Sequence, residues 1–153
     1  MLEKGASVEI SSNKRHVIAV TMATSRQGLG VVRELCKTNK YRIRAITRNT
    51  KSSKAKELQS LNNVELVKGD LLDPVSLKEA FCEVDAIFGN TTPTKGWKPF
   101  RGSIVRSYEL EQGFNLINQV KYAYEKGNLK HFIFSSISKG TVSYTHLTLP
   151  TTS

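Results

Sequence analysis

Between His16 and Gly30 the chain reads HVIAVTMATSRQGLG. A short apolar, β-branched run, Val17-Ile18-Ala19-Val20, predicts a buried strand, and a small-residue turn leads from it into an apolar-periodic helix spanning Gly28 to Cys36. Strand, tight turn and helix are how a doubly wound α/β domain presents backbone N–H groups and a helix N-terminus to a phosphate. A glycine-rich turn places its first two glycines where this chain has Met22 and Ser25, and only Gly28 stands in register. The architecture is therefore legible while the phosphate chemistry is altered.

The remainder repeats the same alternation. Tyr41–Thr47 predicts strand two, after a helix ended by Thr38-Asn39-Lys40. Ser52 or Ser53 caps a second helix that buries Ala55, Leu58 and Leu61. Val64–Val67 predicts strand three; Asp73 and Pro74 open a third helix with Leu77, Ala80 and Phe81 inward. Strand four is expected at Val84–Phe88, and a long loop from Asn90 to Ser107 carries Pro93, Gly96, Pro99 and Gly102. A helix from Tyr108 to Lys126 puts Leu110, Phe114, Ile117, Val120 and Tyr124 at helical spacing before Gly127, and His131–Ser135 is strand five. Strands alternating with helices require right-handed crossovers and a parallel sheet, here with expected order 3-2-1-4-5.

Composition narrows the class. With 39% hydrophobic and 24% charged residues the chain is an ordinary globular one, and no apolar run approaches the roughly 18 residues of a membrane span. The first 15 residues are polar and read as a mobile arm without a secretory signal. Cys36 and Cys82 read as reduced core thiols, and a cytoplasmic setting is expected. The formal net charge is +10, and Lys37–Lys68 supplies +7 of it, nine Lys/Arg against Glu57 and Glu65. Such a segment is a solvated surplus, a field for a phosphorylated cofactor, or a distant third option, a nucleic-acid face; neither an aromatic stacking platform nor a recognition helix accompanies it.

Ligands of an open parallel sheet bind beyond the carboxyl ends of its strands, at the switch between strands one and four. The residues falling there are Thr21 to Gly28, Arg48, Asp70-Leu71, Asn90-Thr91-Thr92 and Ser135-Ser136. Arg48 lies twenty residues beyond Gly28, where an acidic residue holds an unmodified ribose and an arginine pairs with a 2′-phosphate. No Asp or Glu ends strand two, which favours NADP over NAD, with Lys51 adding positive field. Taken alone, Arg48 is equally well an exposed strand-end arginine.

Together VTMATSRQGLGVVREL, AITRN, VKGDLLDP, DAIFGNTTP and HFIFSSIS resemble the NmrA-like family of the atypical short-chain dehydrogenase/reductase superfamily, over roughly residues 15 to 140. The resemblance implies a Rossmann domain followed by a smaller substrate or partner region. It implies either an NADP-dependent reductase or a protein that binds NADP and acts as a redox-responsive regulator of a partner protein. By the same resemblance the phosphate turn maps to Met22, Ala23, Thr24, Ser25, Arg26, Gln27 and Gly28, and the 2′-phosphate contact to Arg48. The adenine-side pair maps to Asp70-Leu71 and the strand-four contact to Asn90-Thr91. If the first turn position needs φ > 0, methionine there is strained by about 1–2 kcal/mol. The Ser25 side chain takes space where backbone approaches a pyrophosphate, although its hydroxyl can donate to a phosphate oxygen. Weakened binding, rather than none, is the expectation.

Catalytic residues are not assignable. Short-chain reductases pair a strand-five serine with Tyr-x-x-x-Lys, in which the lysine lowers the tyrosine pKa. Ser135, Ser136 or Ser138 fits the serine, but no Tyr-x-x-x-Lys follows; Lys139 is a lone lysine, and His16, His131 and His146 form no metal or triad set.

The last twelve residues, VSYTHLTLPTTS, carry no charge. Val142 to Thr151 reads codon by codon as a transposase mosaic-end sequencing adapter, GTC TCT TAT ACA CAT CTG ACG CTG CCG ACG. Residues 141–153 are therefore expected to be a non-native tail, and residues 16–140 the dinucleotide-binding portion of a longer protein, cut after strand five and inactive as a reductase by itself.

Overall fold

The computed structural model describes residues 14–92 and 102–135, with side chains described from residue 108 onward in the second stretch. The elements are β1 (Val17–Val20), α1 (Arg26–Thr38), β2 (Arg42–Thr47), α2 (Ser53–Gln59), β3 (Val64–Lys68), α3 (Pro74–Ala80), β4 (Ala86–Asn90), α4 (Gly102–Glu125) and β5 (His131–Ser135). All strand pairings are parallel and the order is β3-β2-β1-β4-β5, as expected.

Strand pleat divides the core in two. Ala19, Ile46 and Ile87 point to one face, where Leu77 and Ala80 of α3 and Leu116 and Val120 of α4 cover them. Their neighbours Val20 and Ala45 point to the other, under Val32 of α1 and Leu58 of α2. Each fully buried Leu or Ile contributes about 1.5–3 kcal/mol relative to exposure, so both layers are needed to hold the sheet.

The helix ends follow side-chain chemistry. Ser25, Ser52 and Asp73 are N-caps accepting from Gly28, Ala55 and both Val75 and Ser76. Asn39 closes α1 in the left-handed region, and Gly127, at φ 98°, follows α4. At the opposite end of the sheet from the switch point, Asp85 accepts the Val17 N–H at 2.8 Å through its carboxylate, and its carbonyl accepts the Lys130 N–H at 2.8 Å.

Four expectations shift. Strand four runs Ala86–Asn90, so Asn90 ends the strand instead of opening a loop. The long helix begins at Gly102, six residues before Tyr108, and the rest of the expected loop, 93–101, lies outside the described residues. The face α4 buries is Gln112, Leu116 and Val120, whereas Leu110, Phe114 and Ile117 are 52%, 64% and 46% exposed. Leu116 and Val120 share the sheet-facing row of this helix with Gln112, and the more numerous apolar residues lie on a second face. Cys82 is likewise no core thiol; it is exposed just beyond α3, and Cys36 is half-buried. No helix among the described residues is long and apolar enough to cross a membrane.

Candidate functional site

The turn after β1 is pinned on both sides. Thr21 is fully buried; its N–H donates to the Phe88 carbonyl at 3.0 Å, and its hydroxyl accepts the Asn90 N–H at 2.9 Å. The same hydroxyl lies 3.1 Å from Asn90 Oδ1 and 3.2 Å from the Asn90 carbonyl. Ala23 is buried and its N–H donates to the Ile46 carbonyl at 3.0 Å, tying the turn to β2. Between these two anchors Met22 adopts φ 51°, the left-handed region in which a side chain is strained. A Cβ on Gly28 would stand 2.1 Å from the Met22 carbonyl oxygen, so only glycine lets α1 start this close to the turn.

Ser25 completes the turn. Its hydroxyl donates to the Met22 carbonyl at 2.6 Å and accepts the Gly28 N–H at 3.1 Å, while the Asn90 amide donates to it at 3.4 Å. The first intrahelical bond of α1 runs from Leu29 N–H to the Ser25 carbonyl, leaving the Arg26 and Gln27 N–H groups ahead of it. No acidic residue stands in that first turn, so the helix dipole there is uncompensated. The Gln27 amide donates to the Ser135 hydroxyl at 2.6 Å, joining the start of α1 to the end of β5.

Beside the turn, a cleft of about 40 Å³ opens at the ends of β1, β2 and β3, lined among others by Met22, Thr24, Thr47, Arg48, Gly69 and Leu71. Thr24 and Thr47 hydroxyls lie 3.5 Å apart across it. Arg48 is exposed on its rim and makes no ion pair among the described residues. Arg44, by contrast, turns inward to the Ala80 and Cys82 carbonyls and Glu65, so the basic segment is not one continuous face. The Asp70 carboxylate caps its own turn, accepting the Leu72 N–H at 2.9 Å, and the Leu71 carbonyl accepts from the Asn115 amide at 2.9 Å.

The strand-four end is held by α4. Buried Gln112 accepts the Thr92 N–H and donates to the Thr92 carbonyl, both at 3.1 Å, and Thr91 donates to Glu109 at 3.2 Å. Thr47, Gln112, Glu109 and Asn115 are site-shaping residues that sequence reading missed. Only Gln112 left a signal, a polar residue in the row of Leu116 and Val120. All of the expected residues, Met22 to Gly28, Arg48, Asp70, Leu71, Asn90 and Thr91, lie at the carboxyl end of the sheet. Ser136, Ser138 and Lys139 lie outside the described residues, and no metal-binding cluster of His, Cys, Asp and Glu exists among the described ones.

The profile of the NmrA-like family matches residues 14–150. An NmrA-like family domain-containing oxidoreductase of Aspergillus versicolor is 34% identical over 127 residues, 83% of this chain and 34% of that protein. The nitrogen metabolite repression protein NmrA of Emericella nidulans is 31% identical over 127 residues, 82% of this chain and 32% of that protein. Solved structures of NmrA, described as a negative transcriptional regulator, superpose with TM-scores of 0.64 for its NADP complex and 0.66 for its NAD complex. Both are 29% identical and cover 82% of this chain and 35% of that one. The chain thus spans about a third of the length of the curated relatives it matches. On the family profile, the sheet order and these relatives together, the chain belongs to the NmrA-like family.

Proposed function

We propose that this chain binds NADP(H) and serves a redox-responsive regulatory binding protein. The observation that carries the reading is Arg48, exposed on the rim of the cleft between the Met22 turn and Gly69-Leu71, with no acidic residue at the end of β2. A guanidinium there pairs with the 2′-phosphate that distinguishes NADP from NAD. The Arg26 and Gln27 N–H groups at the start of α1 take the pyrophosphate, and Thr24, Thr47 and Leu71 line the adenosine side. Asn90 and Thr91 border the path toward the nicotinamide. The turn fits the group with one N–H fewer than a glycine turn offers, because Ser25 caps Gly28; this supports weakened binding. When bound, the nicotinamide supplies a hydride carrier whose oxidation state a partner protein can sense.

NmrA's description as a negative transcriptional regulator favours the regulatory role, and the name of the A. versicolor relative favours a reductase. We place the protein in the cytoplasm. Titration of the chain with NADP(H) and NAD(H) by calorimetry tests the binding reading: NADP(H) should bind more tightly, and equal affinity would overturn it. Loss of NADPH absorbance with added carbonyl acceptors, in the full-length protein, would overturn the regulatory role in favour of the reductase.

A further inference from the structure

At the opposite end of the sheet, between α3 and the last turns of α4, lies a groove of about 470 Å³. That volume is in the range of small-molecule pockets, about 300–1,000 Å³, and far exceeds the cleft beside Arg48. Its floor and walls are mainly apolar: buried Phe81 and Val84, with Ala123 and the exposed Val75 beside them. On its rim the Lys78 ammonium stands 4.6 Å from the Tyr122 ring centroid and the Lys126 ammonium 5.3 Å from the same centroid.

Both ammonium groups lie over the Tyr122 ring and concentrate positive charge there, and among the described residues neither belongs to an ion pair. The ring quadrupole attracts each ammonium without neutralising its charge. An anionic group at Tyr122 pairs with that charge. Glu79 and Glu83 also line the groove, so its total charge is balanced, and a simple inorganic anion gains nothing from the groove as a whole. The pattern rewards a ligand whose anionic head meets the two lysines at Tyr122 while its body covers Phe81 and Val75.

We propose that the α3–α4 groove binds a small apolar carboxylic acid, its carboxylate paired with Lys78 and Lys126 at Tyr122 and its hydrocarbon against Phe81, Val75 and Ala123. Exposed Cys82 lines the same groove and reports its occupancy.

The test uses decanoate below its micellar concentration as probe, with decylammonium as the charge-reversed control, on the full chain. Decanoate should slow alkylation of Cys82 by iodoacetamide, followed by peptide mass spectrometry, and leave half-buried Cys36 unchanged. Decylammonium should protect much less. Replacing both lysines, Lys78→Gln with Lys126→Gln, should weaken decanoate binding about fivefold, as expected for two exposed charge contacts. The melting temperature and the NADP(H) affinity should stay unchanged, since both side chains are exposed and remote from the dinucleotide cleft. No protection of Cys82 at millimolar decanoate, equal protection by decylammonium, or unchanged decanoate binding in the double variant would each overturn the proposal.

Discussion

The Ser25 hydroxyl donates its proton to the Met22 carbonyl at 2.6 Å. With its oxygen accepting the Gly28 N–H, the side chain closes the turn on itself, using a donor that a glycine turn offers to phosphate. The expected compensation, a serine proton given to a phosphate oxygen, thus competes with a short intramolecular bond. The two departures from glycine are coupled, because the φ 51° backbone of Met22 aims the carbonyl that Ser25 caps.

Restoring both glycines separates binding from stability. Met22→Gly removes about 1–2 kcal/mol of left-handed strain and adds up to about 1 kcal/mol of unfolded-chain entropy, so the melting temperature should hold or rise slightly. Ser25→Gly costs a few tenths of a kcal/mol as a cap and frees the Gly28 N–H. One charge-assisted contact is worth about 1.5–3 kcal/mol, so NADP(H) affinity of the double variant should rise at least about tenfold. Calorimetry showing unchanged or weaker affinity would mean that no pyrophosphate lies over this turn.

The two faces of α4 give a stability test. Phe114 is 64% exposed, so Phe114→Ser should change the unfolding free energy by no more than about 0.5 kcal/mol. Leu116 is fully buried against the sheet, and Leu116→Ala should cost about 2–5 kcal/mol. Urea midpoints measured on both variants decide which face is core; a larger loss for Phe114→Ser would reverse the assignment.

Gln112 deserves the same treatment on the polar side. Gln112→Leu keeps the volume close but removes both contacts to the Thr92 backbone, at a cost of about 1–3 kcal/mol. Hydrogen exchange at Thr92 should speed up in the variant; unaltered exchange would show that other contacts hold the strand-four end.

Local signals carried most of the fold. The β-branched runs, the Ser52 and Asp73-Pro74 caps and the strand-helix alternation fix the order of elements, and the crossover rule then makes the sheet parallel, with its carboxyl ends on one side. That alone brings Arg48 and Asp70 to one end with Met22. What stayed hidden depends on register and on long sequence separations. Thr21 meets Asn90, 69 residues away, because β1 and β4 pair Val20 with Phe88; Gln27 meets Ser135 across 108 residues. The core face of α4 was obscured because a helix with two apolar faces has no single periodic maximum. Its second face only shows itself once the sheet has claimed the first.

The expected non-native tail has a direct test in the nucleotide sequence. The family match runs to residue 150 and so includes most of VSYTHLTLPTTS. If residues from Val142 onward derive from the mosaic-end adapter, an independent clone of the transcript should continue past Gly140 in a different sequence. A genomic clone encoding the same twelve residues would make the tail native.

On the proposed reading, Arg48 is the residue that distinguishes NADP from NAD. Its guanidinium is exposed, unengaged by any carboxylate among the described residues, and set at the rim of the cleft between Met22 and Leu71. An ionised 2′-phosphate forms a charge-assisted, often bidentate pair with such a group, whereas the ribose hydroxyl of NAD offers it only a neutral contact. Arg48→Ala should therefore weaken NADP(H) by about 1.5–3 kcal/mol at low salt and NAD(H) far less. Because the partner charges are exposed, the NADP(H) advantage should shrink as salt approaches about 1 M, where the screening length falls to about 3 Å. Lys51→Ala should reproduce a small part of the same loss through the field alone. Calorimetry on wild type and both variants, at two salt concentrations, measures all of this. Equal losses for both cofactors in Arg48→Ala would place the 2′-phosphate elsewhere and leave Arg48 an ordinary strand-end arginine.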